Sequence, residues 1–383
     1  MSMVQYGVEN LQNFAHLLKG KRLGLITAPT GLTRDFVSTV DVLHEQFHLA
    51  ALFSPEHGVR GDQAAGGLVE NYRDERTGVP VYSLYRPDSK RLTPEMLDQV
   101  DMVVYDIQDA GARFYTFIYT MLYALEDCAR AGKAFMVLDR PNPLGGAVVE
   151  GNRLREGFQS FVGNYPGLAI RYGLTVGELA LMANDQLGLE AELHVVPMKG
   201  WSRDMLFPDT GNMWVPPSMG LPRFGTTALY PGTCLMEGTN LSEGRGTPLP
   251  FELIGAPYLD ADRLASEMNQ LQLTGVCFRP AHFKPTFSKH QGDLCHGVQL
   301  HVTDLRALRP VETGIRLIDT LRRNWQEFAF LEPFREGGRP FMDLLWGDST
   351  LREGTFRVEE LLGQLQEEST AFAGEKEVYH IYR

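Results

Sequence analysis

The chain has 383 residues, is 43% hydrophobic and 22% charged, and carries a net charge of −12. Such a length favours two domains, and such a composition belongs to an ordinary globular protein. The acidic balance argues against nucleic acid or an anionic membrane surface as partner, while leaving room for a local basic pocket.

Met1 to Glu9 holds no basic stretch followed by an apolar one, and no apolar run reaches the ~18 residues of a membrane span. The sequence as given therefore reads as cytoplasmic, or as periplasmic or secreted if a leader has been trimmed. Cys128, Cys234, Cys277 and Cys295 are widely spaced and form no CxxC pair. They read as buried reduced thiols rather than as a zinc or redox site.

Arg22 to Thr27 reads as a strand that ends in Ala28-Pro29-Thr30-Gly31. Phe36 to Gln46 has helical spacing, Leu49 to Phe53 is an apolar run of strand length, and Val79 to Leu84 is a weaker strand. Thr93 caps a helix with Pro94 at its first position. Asp101 to Ile107 is a strand, Phe114 to Ala131 a long helix stopped by Gly132, and Ala134 to Leu138 another strand. Strands alternating with helices predict an α/β fold with a mainly parallel sheet covered on both faces.

Residues 140–255 are rich in Gly and Pro. A helix, Val176 to Leu187, and a strand, Glu192 to Pro197, interrupt them. Trp201 to Gly255 reads mostly as loop, and structureless stretches that long are either functional or misassigned. Strands and helices return from Pro257: Asp260 caps a helix from Ala261 to Gln270, Val298 to Val302 alternates, and Glu312 to Asn324 is helical. Composition and pattern place one domain at 1–150 and a second at 151–383.

Three strand ends carry polar clusters. Pro55-Glu56-His57-Gly58, with Arg60 close behind, follows the second strand. Asp106, Gln108, Asp109 and Arg113 follow the next, and Asp139, Arg140 and Asn142 the last. In open α/β sheets ligands bind outside the carboxyl ends of strands, so three such ends are expected to share one crevice. Each has a plainer reading. Asp109 can cap a helix beginning near Arg113, Asp139 can pair with an arginine, Gly111 can supply a turn, and His57 can be a core histidine. Glu178 fits a capping box with Thr175 and is assigned to structure.

The segment from Tyr230 through Glu237, Asn240, Glu243 and Arg245 to Thr247 is dense in glycines and hydrogen-bonding side chains, which suits a hydroxyl-rich ligand. An ordinary polar surface loop is the competing reading. GxGxxG after the first strand, GxxxxGK[ST], GxSxG and HExxH are all absent, so no nucleotide, cofactor or catalytic-zinc signature is present.

Taken together, the strings Ser54-Pro55-Glu56-His57-Gly58, Asp106 to Thr116, Leu138 to Leu144, Tyr172 to Ala180, Pro197 to Arg203, Tyr230 to Thr233, Glu237 to Thr247 and Pro250 to Glu252 resemble the NamZ-type (YbbC-like) exo-β-N-acetylmuramidases. The resemblance covers about Gly20 to Val302. It implies a Rossmann-like domain joined to a smaller α/β (α+β) domain carrying substrate-binding loops, with the active cleft between them. It implies release of N-acetylmuramic acid from the non-reducing end of peptidoglycan-derived saccharides. No cofactor and no metal is expected. The family's proposed catalytic glutamate falls on Glu56. One departure stands out: Pro216-Pro217-Ser218-Met219-Gly220-Leu221-Pro222 replaces an expected Pro-Ser-Pro-Asn-Ile-Pro type of segment and loses an amide side chain.

Glycoside cleavage usually takes two carboxyl roles, unless a 2-acetamido group of the sugar supplies the internal nucleophile. Glu56 is assigned as general acid, with His57 beside it. Asp109, Asp139 and Glu243 are candidates for the second role. Arg113, Arg140 and Arg245 are candidates for the lactyl carboxylate, since a guanidinium matches a carboxylate through a two-pronged fork. Arg60, Tyr115, Asn142, Tyr230, Glu237 and Asn240 complete the expected saccharide site. Two other classes compete: a non-catalytic saccharide sensor on the same scaffold, and a metal-dependent hydrolase using Asp106, Asp109 and His57.

Overall fold

The computed structural model describes residues 3–55, 58–60, 71–84, 86, 89–354 and 356–383. Its strands begin with β1 (Leu23–Thr27), β2 (Leu49–Ser54), β3 (Tyr72–Arg73), β4 (Pro80–Ser83), β5 (Met102–Asp106) and β6 (Ala134–Leu138). β1, β5 and β6 are buried at every position, as interior strands of a sheet covered on both faces must be. β7 (Glu150–Arg153) and β8 (Ala169–Arg171) form a separate antiparallel ribbon, and β9 (Leu193–Val196) returns to pair with β6. The sheet runs β3-β4-β2-β1-β5-β6-β9, and every pairing in it is parallel except β3 on β4. A boundary at 150 would cut β9 from its sheet, so the first unit extends past that point.

The apolar runs located these strands closely, and helix starts less well. The helix Thr39–Gln46 begins after Phe36, whose φ of 61° breaks the spacing, and Ser38 caps it. The helix Phe117–Arg130 begins later than expected, and Asp109 does not cap it. Residues 107–115 instead form a connection that is buried throughout. A buried loop has to satisfy its own backbone polar groups, and this explains much of the chemistry in that stretch.

The second unit holds β10 (Leu253–Ala256), β11 (Val276–Phe283) and β12 (Cys295–Val302), paired antiparallel in the order β10-β12-β11. The helix Ala261–Gln270 packs on β11 and β12, and Asp260 caps it through the Arg263 N–H at 2.9 Å. The stretch read as loop contains a helix, Phe224–Thr233, followed by a 3-10 turn, Cys234–Gly238. Pro231 lies inside that helix and removes one backbone donor. Tertiary packing overrides the loss. Residues 226–233 are all buried, and Gly232 meets the helix Pro310–Asn324 so closely that a Cβ would stand 1.8 Å from the Pro310 carbonyl oxygen.

One hydrophobic core joins the units, with Ile118, Tyr172, Leu235 and Met342 in the same buried cluster. The C-terminal helix Val358–Glu375 packs on β7. Beyond it, the Tyr382 hydroxyl donates to Asp139 at 2.6 Å and accepts from the Met198 N–H at 2.9 Å, so the tail docks on the first unit. Among the described residues no helix is long and apolar enough to cross a membrane.

Candidate active site

β2 delivers the chain to Pro55, which lines a cavity of about 570 Å³. Glu56 and His57 follow directly in sequence and lie outside the described residues. Leu84 and Arg86, just past β4, line the same cavity, as do Thr116, Phe117 and Phe161. The last three also line a second cavity of about 390 Å³, whose far wall comes from the second unit. Tyr230, Glu237, Arg245 and Phe251 stand there. The two cavities are therefore lobes of one cleft, running from the carboxyl edge of the sheet at β2 and β4 into the second unit.

The Arg245 guanidinium is 2.8 Å from Glu237 and 3.5 Å from Glu243, and it lies 4.9 Å over the Phe251 ring. Burial pulls its pKa down, but the charge of Glu237 more than offsets this and holds it above the ordinary arginine value. Tyr230 sets its ring edge-on to Phe251 and Phe114, and Tyr115 stands edge-on to Tyr230. Tyr115, Tyr230, Glu237 and Arg245 thus meet in the second lobe. Glu243 lies behind Arg245, buried, with Lys289 at 2.9 Å from its other oxygen. Among the described residues lining the two lobes, Glu237 is the single acidic side chain.

Other expected residues stand elsewhere, for identifiable reasons. Arg113 is fully buried and spends its guanidinium on the carbonyls of Asn152, Leu168, Leu345 and Trp346. Burial pulls its pKa to about 10. It fastens the buried connection to the ribbon and to the helix Phe341–Trp346. Asp109 accepts from the Gly111 N–H at 2.7 Å and from the Tyr172 hydroxyl. Asn142 donates to the Leu174 carbonyl at 2.9 Å, and Gly111, at φ 76°, passes so near it that a Cβ would stand 2.4 Å from Oδ1. Asn240 ties Glu327, Tyr258 and Ala329 together, and Arg60 pairs with Asp74 and Asp41.

The third strand end also turns inward. Asp139 accepts from Thr175 at 2.7 Å, Gly177 N–H at 2.9 Å and Tyr382 at 2.6 Å. Arg140 makes a two-pronged pair with Asp106, at 2.5 and 2.9 Å, while Thr39 donates to Asp106 at 2.5 Å. Strand order reverses between β1 and β5, where a ligand crevice is expected. The Arg140–Asp106–Thr39 network fills that place and leaves a crevice of about 20 Å³ beside Tyr6, Thr30 and Gln108. Such a volume holds a water, not a sugar. Among the described residues, those of the second and third polar ends therefore stand outside the cleft, which lies toward β2 and β4.

Burial pushes the Asp109 pKa up to about 6 and that of Asp139 up to about 7, values that suit a general acid. Neither is among the described residues that line the two lobes: Tyr172 and the Gly111 N–H hold the first, and Thr175, the Gly177 N–H and Tyr382 hold the second. Conversely, sequence reasoning missed Arg86 and Phe161. It did flag the 216–222 departure, and Ser218, Met219 and Gly220 from that segment line the second lobe. Arg86 follows β4 and was open to the same strand-end rule that found Glu56, but no motif surrounds it.

Comparison with known proteins gives a consistent assignment along the whole chain. Residues 23–225 match the N-terminal family model of exo-beta-N-acetylmuramidase NamZ, and residues 228–382 match its C-terminal model. The peptidoglycan beta-N-acetylmuramidase NamZ of Bacillus subtilis (strain 168) is 48% identical over 386 residues, covering 99% of this chain and 91% of that protein. Two DUF1343 family crystal structures from Bacteroides fragilis share the fold. One has a TM-score of 0.90 and 37% identity, covering 100% of both chains. The other has a TM-score of 0.78 and 30% identity, covering 100% of this chain and 99% of the other. The chain belongs to the exo-beta-N-acetylmuramidase NamZ family.

Proposed function

We propose that this chain releases N-acetylmuramic acid from the non-reducing end of peptidoglycan-derived saccharides, with Glu56 as general acid. The glycosidase class of the activity comes with membership in the family. The observation that carries the residue assignment is the position of Pro55. It stands at the carboxyl end of β2, in the wall of the cleft, and Glu56 is the next residue.

In the reaction Glu56 donates its proton to the glycosidic oxygen as the bond to the anomeric carbon breaks, and water completes the hydrolysis. The second lobe supplies Glu237, held by Arg245. A fixed carboxylate there suits orienting the 2-acetamido group as that group's carbonyl attacks the anomeric carbon. The Tyr115 and Tyr230 rings give the lobe an apolar wall for a sugar face. The metal-hydrolase reading draws no support from Asp106, which Arg140 and Thr39 occupy, or from Asp109, which faces Tyr172.

The test is hydrolysis of a 4-nitrophenyl glycoside of N-acetylmuramic acid beside the matching N-acetylglucosamine glycoside. Preferential turnover of the first is expected. Binding of both with no turnover of either would favour a saccharide sensor.

A further inference from the structure

The arginines first expected to read the sugar's carboxylate are committed elsewhere: Arg113 to carbonyls, Arg140 to Asp106, and Arg245 to Glu237. The first lobe presents another group of cations beside Pro55, namely Arg86, Lys90 and Arg91. Arg91 is neutralised, at 2.7 Å from Glu126 and 2.8 Å from Asp127, and it lies over the Tyr123 ring. Arg86 is different. Its Nη1 donates to the Ser83 carbonyl at 2.9 Å and its Nη2 to the Arg91 carbonyl at 2.8 Å. Among the described residues no acidic side chain pairs with it.

These two carbonyls belong to the two ends of the connection that leaves β4. They hold the guanidinium in place without cancelling its charge. A guanidinium has five N–H donors; two bond these carbonyls and one reaches the Met96 Sδ at 3.9 Å, which leaves two for the cavity. A fixed guanidinium that no described acidic side chain neutralises, standing in the wall of a concave site, suits a carboxylate.

We propose that Arg86 reads the carboxylate of the saccharide and so sets the preference for a muramic over a glucosamine unit. The inference rests on the function proposed above, because the lactyl ether of muramic acid is the carboxylate that distinguishes the two sugars. Arg86 acts in binding, and the proton transfer at Glu56 is separate from it.

Three 4-nitrophenyl glycosides test this: that of N-acetylmuramic acid, that of its lactyl methyl ester, and that of N-acetylglucosamine. The ester keeps the shape of the lactyl group and removes its charge. Arg86→Ala is expected to lower kcat/KM on the free acid by ~10–10²-fold, the range of a hydrogen bond to a charged group, and on the ester by less than about threefold. Arg86→Lys should recover part of the loss, since it restores charge without the fork. Equal losses on acid and ester, or no loss on the acid, overturn the proposal.

Calorimetric binding of free N-acetylmuramic acid supplies a readout independent of turnover. It should weaken in Arg86→Ala and partly recover in Arg86→Lys, and unchanged binding overturns the proposal as well. A wild-type enzyme that hydrolyses no muramic glycoside yet shows this Arg86-dependent binding would instead remove the proposed activity and leave the receptor standing.

Discussion

Arg245 and Glu237 face each other at 2.8 Å across the second lobe of the cleft, reached from segments on either side of a glycine-rich turn. The pair is self-neutralising. A substrate carboxylate would have to displace Glu237 to claim the arginine, and Glu243 stands by as a further competitor at 3.5 Å.

Arg245→Ala is therefore expected to raise KM by about tenfold on the muramic acid glycoside and on its methyl ester alike, through a loosened Glu237 and the loss of one charge-assisted hydrogen bond. Steady-state kinetics on the two substrates check this. A loss confined to the free acid would show that Arg245 reads the charge.

Glu56→Gln preserves size and removes the transferable proton. Turnover of a natural disaccharide should fall by ~10²–10⁴-fold, the usual worth of general acid catalysis. With nitrophenol as leaving group the loss should be smaller, because that oxygen departs with less protonation. Near-normal disaccharide turnover in the Gln variant would transfer the acid role to another group, Glu237 first.

Arg140→Ala leaves Asp106 buried, with Thr39 as its one side-chain hydrogen-bond partner among the described residues. Removing one partner of a buried ion pair costs about 3–5 kcal/mol. Urea denaturation should show that loss, while kcat of the molecules that remain folded should stay near the wild-type value. A large drop in kcat at unchanged stability would return Arg140 to the site.

Burial raises Asp139 to about pH 7 in the folded state, well above the value an aspartate has in an unfolded chain. Between about pH 4 and 7 the folded state then binds more protons than the unfolded one, so stability falls as pH rises through that window. Asp139→Asn should flatten the slope. Denaturation free energies measured from pH 4 to 8 in both proteins would show it, and parallel curves would assign the slope to other groups.

The sheet was legible because buried parallel strands are short continuous apolar runs, and Leu49–Ser54 or Ala134–Leu138 carry little else. The helix Phe224–Thr233 was not, since Pro231 and Gly232 argue locally for a turn, and only the close approach of Pro310–Asn324 overrules them. The site was half legible for a related reason. Asp109 and Arg113 look like a ligand-binding pair in sequence, yet their segment is a buried loop whose backbone needs them. A polar side chain at a strand end serves a ligand or the chain's own carbonyls, and one sequence does not say which. Arg86 shows the converse, a group with no surrounding motif whose position alone marks it.

The bond from Tyr382 to Asp139 spans 243 positions of sequence, and that from Ile381 to Glu178 spans 203. The two family segments meet near residue 226 in sequence but interlock in space. Excising residues 1–225 as a recombinant module would deprive the Asp139 carboxylate of the Tyr382 hydroxyl, leaving it Thr175 and the Gly177 N–H, and would leave the Met198 amide without its acceptor. Contacts this distant along the chain form late, after the entropy of closing the intervening loop has been overcome. The first segment therefore reaches its finished state only once the second has folded back onto it. Chimeras that exchange halves between relatives must carry the matching tail with the donor sheet.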